Sequence, residues 1–409
     1  MTQCRLFCHS LLAFALWNCC STVWADDAAP RSELDRSAPA TAAELQVLIE
    51  RTPAYGTVNC NRNRELVVET TIRVRKPLTI HGLAARLPDK LGKTPLLVVE
   101  SEGVNIVDFA LRGNGDTVEQ SERASLLVIN AGNFRVEDGR FDNVSQNGLT
   151  IEPRKVEPRD VSGGVVRNLV GDGVVRDVVS ISGGDGVAVV RNVVVENIQG
   201  YRSRLRGAVE VSDGSKNITV RDVYAEDSVY AIDVQDHGKP KQINSNIRID
   251  NVTAVRCRHA VRFNLHDYGH RDISLQNITA VDTEQPLHLK HVNSASVANV
   301  KIFGCGEKGS PVSLTNCHGV IVRDLFLESM PHVTHLVQVD KRSDHVLVDG
   351  VFNRDELKNL KSVIHHERTS DSEEAFLEGR NFLVGQTRGV VEILNSATNK
   401  GTSKRNDGR

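Results

Sequence analysis

Apolar and polar residues alternate through most of the chain, and the alternation is interrupted at intervals by a single Asn or Asp. The interrupting residue lies inside a Val- or Ile-rich frame at Asp108 (IVDFAL), Asp138 (VEDGRF), Asn168 (VRNLV), Asn192 (VRNVVV), Asp222 (VRDVYA), Asn251 (IDNVTA), Asn277 (LQNITA), Asn299 (VANVKI), Asp324 (VRDLFL) and Asp349 (LVDGVF). From Asp108 to Asp349 the spacing averages about 27 residues. Alternation on both sides of one polar corner residue describes short strands wound into a coil, each turn stacked on the last. Asn and Asp suit the corner because their side chains satisfy backbone groups and tolerate left-handed dihedrals. Ten or so turns are expected. The expected fold is therefore all-β, a single-stranded solenoid of short parallel strands.

Inside each turn, an opening strand aligns by its inward apolar pair: Leu149/Ile151, Val179/Ile181, Val209/Val211, Ile232/Val234, Val261/Phe263, Leu287/Leu289 and Val312/Leu314. The residues between them point outward, to solvent on this reading. The first outward column reads Thr150, Ser180, Glu210, Asp233, Arg262, His288, Ser313, and the second Glu152, Ser182, Ser212, Gln235, Asn264, Lys290, Thr315. At ~4.8 Å per turn, Glu210, Asp233, Arg262 and His288 form a line of roughly 14 Å, with Lys290 beside it. The bland reading is a solvated ladder of cross-strand pairs such as Asp233 with Arg262. The functional reading gains from charged insertions beside the same turns, at 153–162, 200–206, 236–246 and 266–272. Such loops would wall a groove on a rigid stack.

Composition changes this picture little. The chain has 409 residues, with 50 Lys and Arg against 52 Asp and Glu. The near balance gives no global electrostatic reason to expect nucleic acid or an anionic membrane as partner. Arg5, the apolar run Leu11 to Trp17 and Val23-Trp24-Ala25 predict a signal peptide over 1–25 cleaved after Ala25, hence a secreted or periplasmic protein. Residues 26–41 read as a linker, 42–395 as the β-helix domain and 396–409 as a disordered tail. No other stretch approaches the ~18 apolar residues of a membrane span. Cys60, Cys257, Cys305 and Cys317 remain after cleavage, which is neither a disulfide framework nor a zinc spacing. Cys257 and Cys305 fall near matching corners two turns apart, too far for a bridge, so both are expected as free thiols. GCGEKG at 304–309 opens no helix and carries no dinucleotide site.

The segments ELQVLIERTPAYGTVNC, TTIRVRKPLTIHGL and LLVVESEGVNIVDFALRGNG resemble the opening of the pectin-lyase-like superfamily, whose fold is a right-handed parallel β-helix. The resemblance covers roughly residues 42 to 350 and implies a helix near Ala42 to Arg51 capping the coil. It also implies a carbohydrate groove on the sheet bearing Glu210 to Lys290. GAVEVSDGSKNITVRDV is similar to the active-site turn of polygalacturonases, but the paired aspartates of that family fall at Arg206-Gly207. Its Gly-His-Gly falls at Val229-Tyr230-Ala231.

Two reactions suit such a groove. Hydrolysis needs an acid and a carboxylate, for which Glu210 and Asp233 stand one turn apart. Elimination from a uronic acid needs a base for the C5 proton and cations to neutralise the carboxylate. Arg262, His288 and Lys290 supply these types, so elimination is the favoured reading. Arg262 then clamps the uronate, Lys290 or His288 takes the proton, and Glu210 and Asp233 orient Arg262 or hold calcium. Gln235, Asn264, Arg202, Arg204, Lys239, His237 and His266 are the expected substrate contacts, with Lys241 near them. Calcium is a candidate cofactor on Glu152, Glu210 or Asp233, although no loop has a calcium-binding spacing. The partner is a polysaccharide. A hydrolase with a non-standard site and a surface protein that binds glycan without cleaving it stay open as alternatives.

Overall fold

Stacking begins at a capped helix. The helix Ala42–Arg51 starts at Thr41, whose hydroxyl accepts from the Glu44 amide, while Glu44 accepts from the Ala40 amide at 2.7 Å. This reciprocal arrangement satisfies donors that a helix start leaves without partners. Leu45 and Ile49 are buried under the first turns. On its other side Gln46 takes both backbone groups of Arg73, accepting from the amide at 2.8 Å and donating to the carbonyl at 3.2 Å. Arg73 belongs to the edge strand Ile72–Val74, so the helix covers a strand edge that would otherwise recruit another chain.

The computed structural model describes residues 38–184, 187–238, 242–264, 269–306, 310–330, 332–353, 359, 361–368, 376–378, 381–383 and 391–395. The expected signal peptide, most of the expected linker, the tail, Lys239, Lys241, His266 and residues 307–309 of the glycine-rich stretch lie outside these. From the helix onward the chain is a right-handed parallel β-solenoid of about eleven turns. Two sheets run its length, one of short strands such as Val179–Ser182, the other of long strands such as Val190–Tyr201. Every neighbouring pair is parallel. Among the described residues no helix is long and apolar enough to cross a membrane.

Each long strand bends at a left-handed residue. The principal column of bends is Gly82, Asp108, Asp138, Asn168, Asn197, Asp222, Asn251, Asn277, Asn299, Asp324 and Gly350, every one at positive φ. Two expected corners are corrected by the register. Asn192 belongs to a second column with Asn217 and Asn246, and Asn197 holds the principal bend of that turn. Asp349 precedes its bend, which Gly350 makes. Both columns are laced by side-chain amides: Asn168 donates to Asp138 at 2.7 Å, Asn197 to Asn168 at 2.9 Å, and Asn217 to Asn192 at 3.0 Å. The ladder fixes the bends that aim every short strand the same way, which keeps the candidate groove straight.

Inside the coil the inward columns of Val, Ile and Leu form one continuous buried core. Cys257 and Cys305 share a column with Thr283 between them, the two-turn separation expected, and all four thiols of the described chain are free. Burial pushes Cys257 and Cys305 up to about 11 and Cys60 and Cys317 up to about 12.

Candidate functional site

The short-strand sheet holds the expected register. Val179 pairs with Val209, Val209 with Ile232, Ile232 with Val261, and Val261 with Leu287. Ser180, Glu210, Asp233, Arg262, His288 and Ser313 therefore follow one another down the face. The expectation that this face meets solvent is overturned at its centre. Glu210 is 1 % exposed and Asp233 is fully buried, with Thr150, Ser180 and Ser212 buried beside them.

Side chains from later turns lie down over earlier ones and cause this burial. Tyr230 extends its ring back along the stack until its hydroxyl donates to Asp177 Oδ1 at 2.8 Å, two turns earlier. Gly207 makes the passage possible. A Cβ there would lie 1.8 Å from the Tyr230 carbonyl oxygen and 2.5 Å from its ring. Arg262 lies 5.1 Å from the Tyr230 ring centre and forks onto Asp233 at 2.8 and 2.6 Å.

Glu210 collects the remaining donors. Arg206 and Gln235 give to Oε1, Ser180 gives to Oε2 at 3.0 Å, and Arg176 stands 3.5 Å from the same oxygen. Burial pushes the Glu210 carboxyl up, but Arg206 and Arg176, with hydrogen bonds from Asp177 and Ser180, bring it below the usual carboxylate value. Burial first, and the Glu210 charge second, raise Asp177 well above that value. Asp233 is also raised, by burial opposed by Arg262. The acids of this face and the arginines beside them thus form one internal charged network.

An open cleft of about 400 Å³ adjoins the network on its N-terminal side. Arg176 and Glu210 reach it from the floor, Arg123 and Lys93 from loops of earlier turns, and Glu152, Lys155 and His237 from the other flank. His237 Nδ1 is 2.7 Å from Asp213 Oδ1, and Ser182 donates to the other Asp213 oxygen at 3.0 Å. Asp213 is left-handed at φ 59° and nearly buried, so it holds the imidazole in one orientation and directs Nε2 away from itself. The Asp213 hydrogen bond raises His237, and burial raises Glu152 against the opposing charge of Lys155.

Of the expected site residues, Glu210 and His237 line this cleft, while Asp233, Arg262 and Gln235 belong to the network beside it. Asn264, His288 and Lys290 follow further along the face. His288 is brought down to about 4 by burial and the charges of Arg262 and Lys290, so it is neutral near pH 7. Arg202 and Arg204 line a different cleft of about 600 Å³, with Arg256, Arg258 and Glu284, at the corner where the long strands end. Among the described residues no group of three His, Cys, Asp or Glu is placed to hold a metal ion. Of the three candidate calcium ligands, Glu210 and Asp233 already have donors on both oxygens, which leaves Glu152.

No protein-family model and no curated protein matches the chain by sequence. Solved structures do match in three dimensions. The A-module of an Azotobacter vinelandii mannuronan C-5 epimerase is 14% identical, with a TM-score of 0.54 over 87% of this chain and 94% of that one. A family 28 exopolygalacturonase of Yersinia enterocolitica is 10% identical, with a TM-score of 0.54 over 85% and 76%. Gene product 12 of bacteriophage phi29, in its pre-mature form, is 13% identical, with a TM-score of 0.65 over 88% of this chain and 56% of that one. These likenesses show the fold, a right-handed parallel β-helix.

Along this β-helix the pair Arg206-Gly207, which stands where the sequence resemblance puts two aspartates, has a structural task. Arg206 neutralises Glu210 and Gly207 admits Tyr230. Arg176, Asp177 and Asp213 escaped the sequence reading because they flank the strands instead of alternating within them. Arg176-Asp177, placed immediately before Val178 and Val179, is the signal that could have found two of them.

Proposed function

We propose that the chain is an exported protein that binds an acidic polysaccharide along the short-strand face and cleaves it by β-elimination in the Arg176–His237 cleft. The observation that carries this reading is the presence, in one cleft, of a histidine oriented by a nearly buried carboxylate and a guanidinium on the floor. Arg176, with Arg123 lining the same cleft, receives the uronate carboxylate and lowers the cost of charge at C5. His237 Nε2 takes the C5 proton. The electrons of that C–H bond form the C4–C5 double bond, and the C4–O bond breaks. Glu152, raised by burial, gives its proton to the departing oxygen. Arg262, committed to Asp233, orders the face on which the chain lies. The names of the epimerase and the exopolygalacturonase, which concern mannuronan and polygalacturonate, support an acidic substrate.

The test incubates the secreted protein with pectate, alginate and sulfated glycans, with and without calcium, following ultraviolet absorbance and reducing ends together. Elimination gives both signals. Reducing ends without absorbance mean hydrolysis, and binding with neither signal means a glycan-binding surface protein. His237→Gln is expected to lower the rate by about 10²–10⁴, and a rate equal to wild type removes His237 as the base. Sequencing the exported protein should begin at Asp26.

A further inference from the structure

The contact of Asp177 with Glu210, behind Arg176, takes part in no step above. Asp177 is fully buried. Arg176 faces it from its own turn, Arg206 and Glu210 from the next and Tyr230 from the third, with Asp233 acting on Tyr230 from that same turn and Arg262 lying over Tyr230 from the fourth. On the preceding turn Asn147, which is neutral, accepts from the Asp177 amide at 3.2 Å. Oδ1 of Asp177 accepts from Tyr230, whereas buried Oδ2 has no donor directed at it. The group beside it, Glu210, is an acceptor already served by two guanidinium groups, an amide and a hydroxyl. Two carboxyl groups in contact away from water hold one proton between them. Oδ2 of Asp177 is the atom placed to carry it and to give its hydrogen bond to Glu210.

The charge count then matters to the cleft. Asp233 and Arg262 cancel. Arg176 and Arg206 stand against Glu210 alone while Asp177 keeps its proton, which leaves one excess positive charge. Of these guanidinium groups Arg176 is the one that lines the cleft. We propose that Asp177 is a positioning residue that, by holding a proton against Glu210, keeps the Arg176 charge available to an anionic sugar. This rests on the reading of the cleft as an acidic-polysaccharide site. When the proton leaves, a second buried carboxylate neutralises the excess and the clamp weakens. Burial and the Glu210 charge raise Asp177, so the site is charged below that raised pKa and loses affinity as pH rises through it.

The experiment is calorimetric titration of the full secreted chain with galacturonate and mannuronate trimers from pH 5 to 10. Wild type, Asp177→Asn, Tyr230→Phe and Arg176→Ala are compared. All proteins that keep His237 share its loss of charge on the alkaline side. Wild type is expected to lose about tenfold more affinity than Asp177→Asn, the effect of one like-signed charge appearing several ångströms behind the clamp. Tyr230→Phe removes a donor to the ionised form and should move the wild-type loss to higher pH. An Asp177→Asn profile that parallels wild type overturns the proposal and leaves the cleft assignment standing. If Asp177→Asn does not fold, an unmoved midpoint in Tyr230→Phe overturns it instead. Absence of trimer binding at every pH, or Arg176→Ala binding as wild type does, overturns both this proposal and the reading it rests on.

Discussion

Replacing Asp177 by asparagine should make the protein progressively more stable than wild type as pH rises from about 4. An unfolded aspartate ionises near 3.9. The folded one is raised well above that by burial and by Glu210. Between the two values the folded state binds one proton more than the unfolded state, so wild-type stability falls with pH by about 1.4 kcal/mol per unit. Asparagine has nearly the same shape, can still donate to Glu210, accepts from Tyr230 and does not titrate. The contributions of other groups largely cancel in the comparison. At pH 4 the two proteins should differ by no more than about 1 kcal/mol, the net worth of one exchanged hydrogen bond. Over each further unit the variant gains about 1.4 kcal/mol until folded Asp177 ionises, and the pH at which the gain levels off reports that ionisation. Guanidinium unfolding followed by far-ultraviolet circular dichroism from pH 4 to 9 measures the difference. Parallel stability curves would mean that Asp177 is ionised in the fold, and the shared proton would be refuted.

Gly207→Ala places a Cβ 1.8 Å from the Tyr230 carbonyl oxygen, and it should cost about 3 kcal/mol or more; an unchanged melting temperature would contradict the packing. At the ladder position Asn168, which has φ of 56°, alanine should be less stable than glycine by about 1 kcal/mol, since both lose the amide bonds and only alanine resists the left-handed bend. Denaturant midpoints of the two variants decide it, and equal midpoints would deny the strain. Alkylation without reductant in denaturant, followed by peptide mapping, should label Cys60, Cys257, Cys305 and Cys317. A protected pair among them would break the stacking register.

Legibility in the sequence followed geometry. The inward pairs from Leu149/Ile151 to Val312/Leu314 specify a register because slipping by one residue would turn every apolar side chain outward, and the structure pairs them as the alternation requires. The column containing Cys257 and Cys305 was legible for the same reason, whereas the cap at Ala42–Arg51 was legible only through the resemblance of the opening segments. Corners were less so. A long strand carries more than one left-handed bend, and in VRNVVVEN both Asn192 and Asn197 make one. Alternation marks a polar interruption without saying which column it joins. The cleft was least legible, because Arg123 and Lys93 come from loops of earlier turns and Asp177 from a position just before its strand. No periodicity governs those places.

Outward direction and exposure to water separate on this face, and the separation supports the proposal that chemistry occurs in the cleft and not on the line from Glu210 to His288. A parallel stack brings outward side chains within ~4.8 Å of their neighbours, close enough for long ones to lie along the sheet and cover the next turn. Arg262 covers Asp233, Tyr230 covers Gly207 and reaches Asp177, and Arg206 covers Glu210. Arg262 and Arg206 are also the charge partners of the acids they cover. Removing one partner of such a buried pair costs about 3–5 kcal/mol because the other charge is stranded. A ligand that displaced Arg262 from Asp233 would have to offset a penalty of that kind. A ligand entering the cleft meets Arg176 without breaking the fork on Asp233, and finds His237 already turned by Asp213. The side chains that the alternation made conspicuous are therefore those most occupied with one another. The groups left for a substrate stand at the end of that network, on turns where serine and threonine take the outward positions and leave space above the sheet.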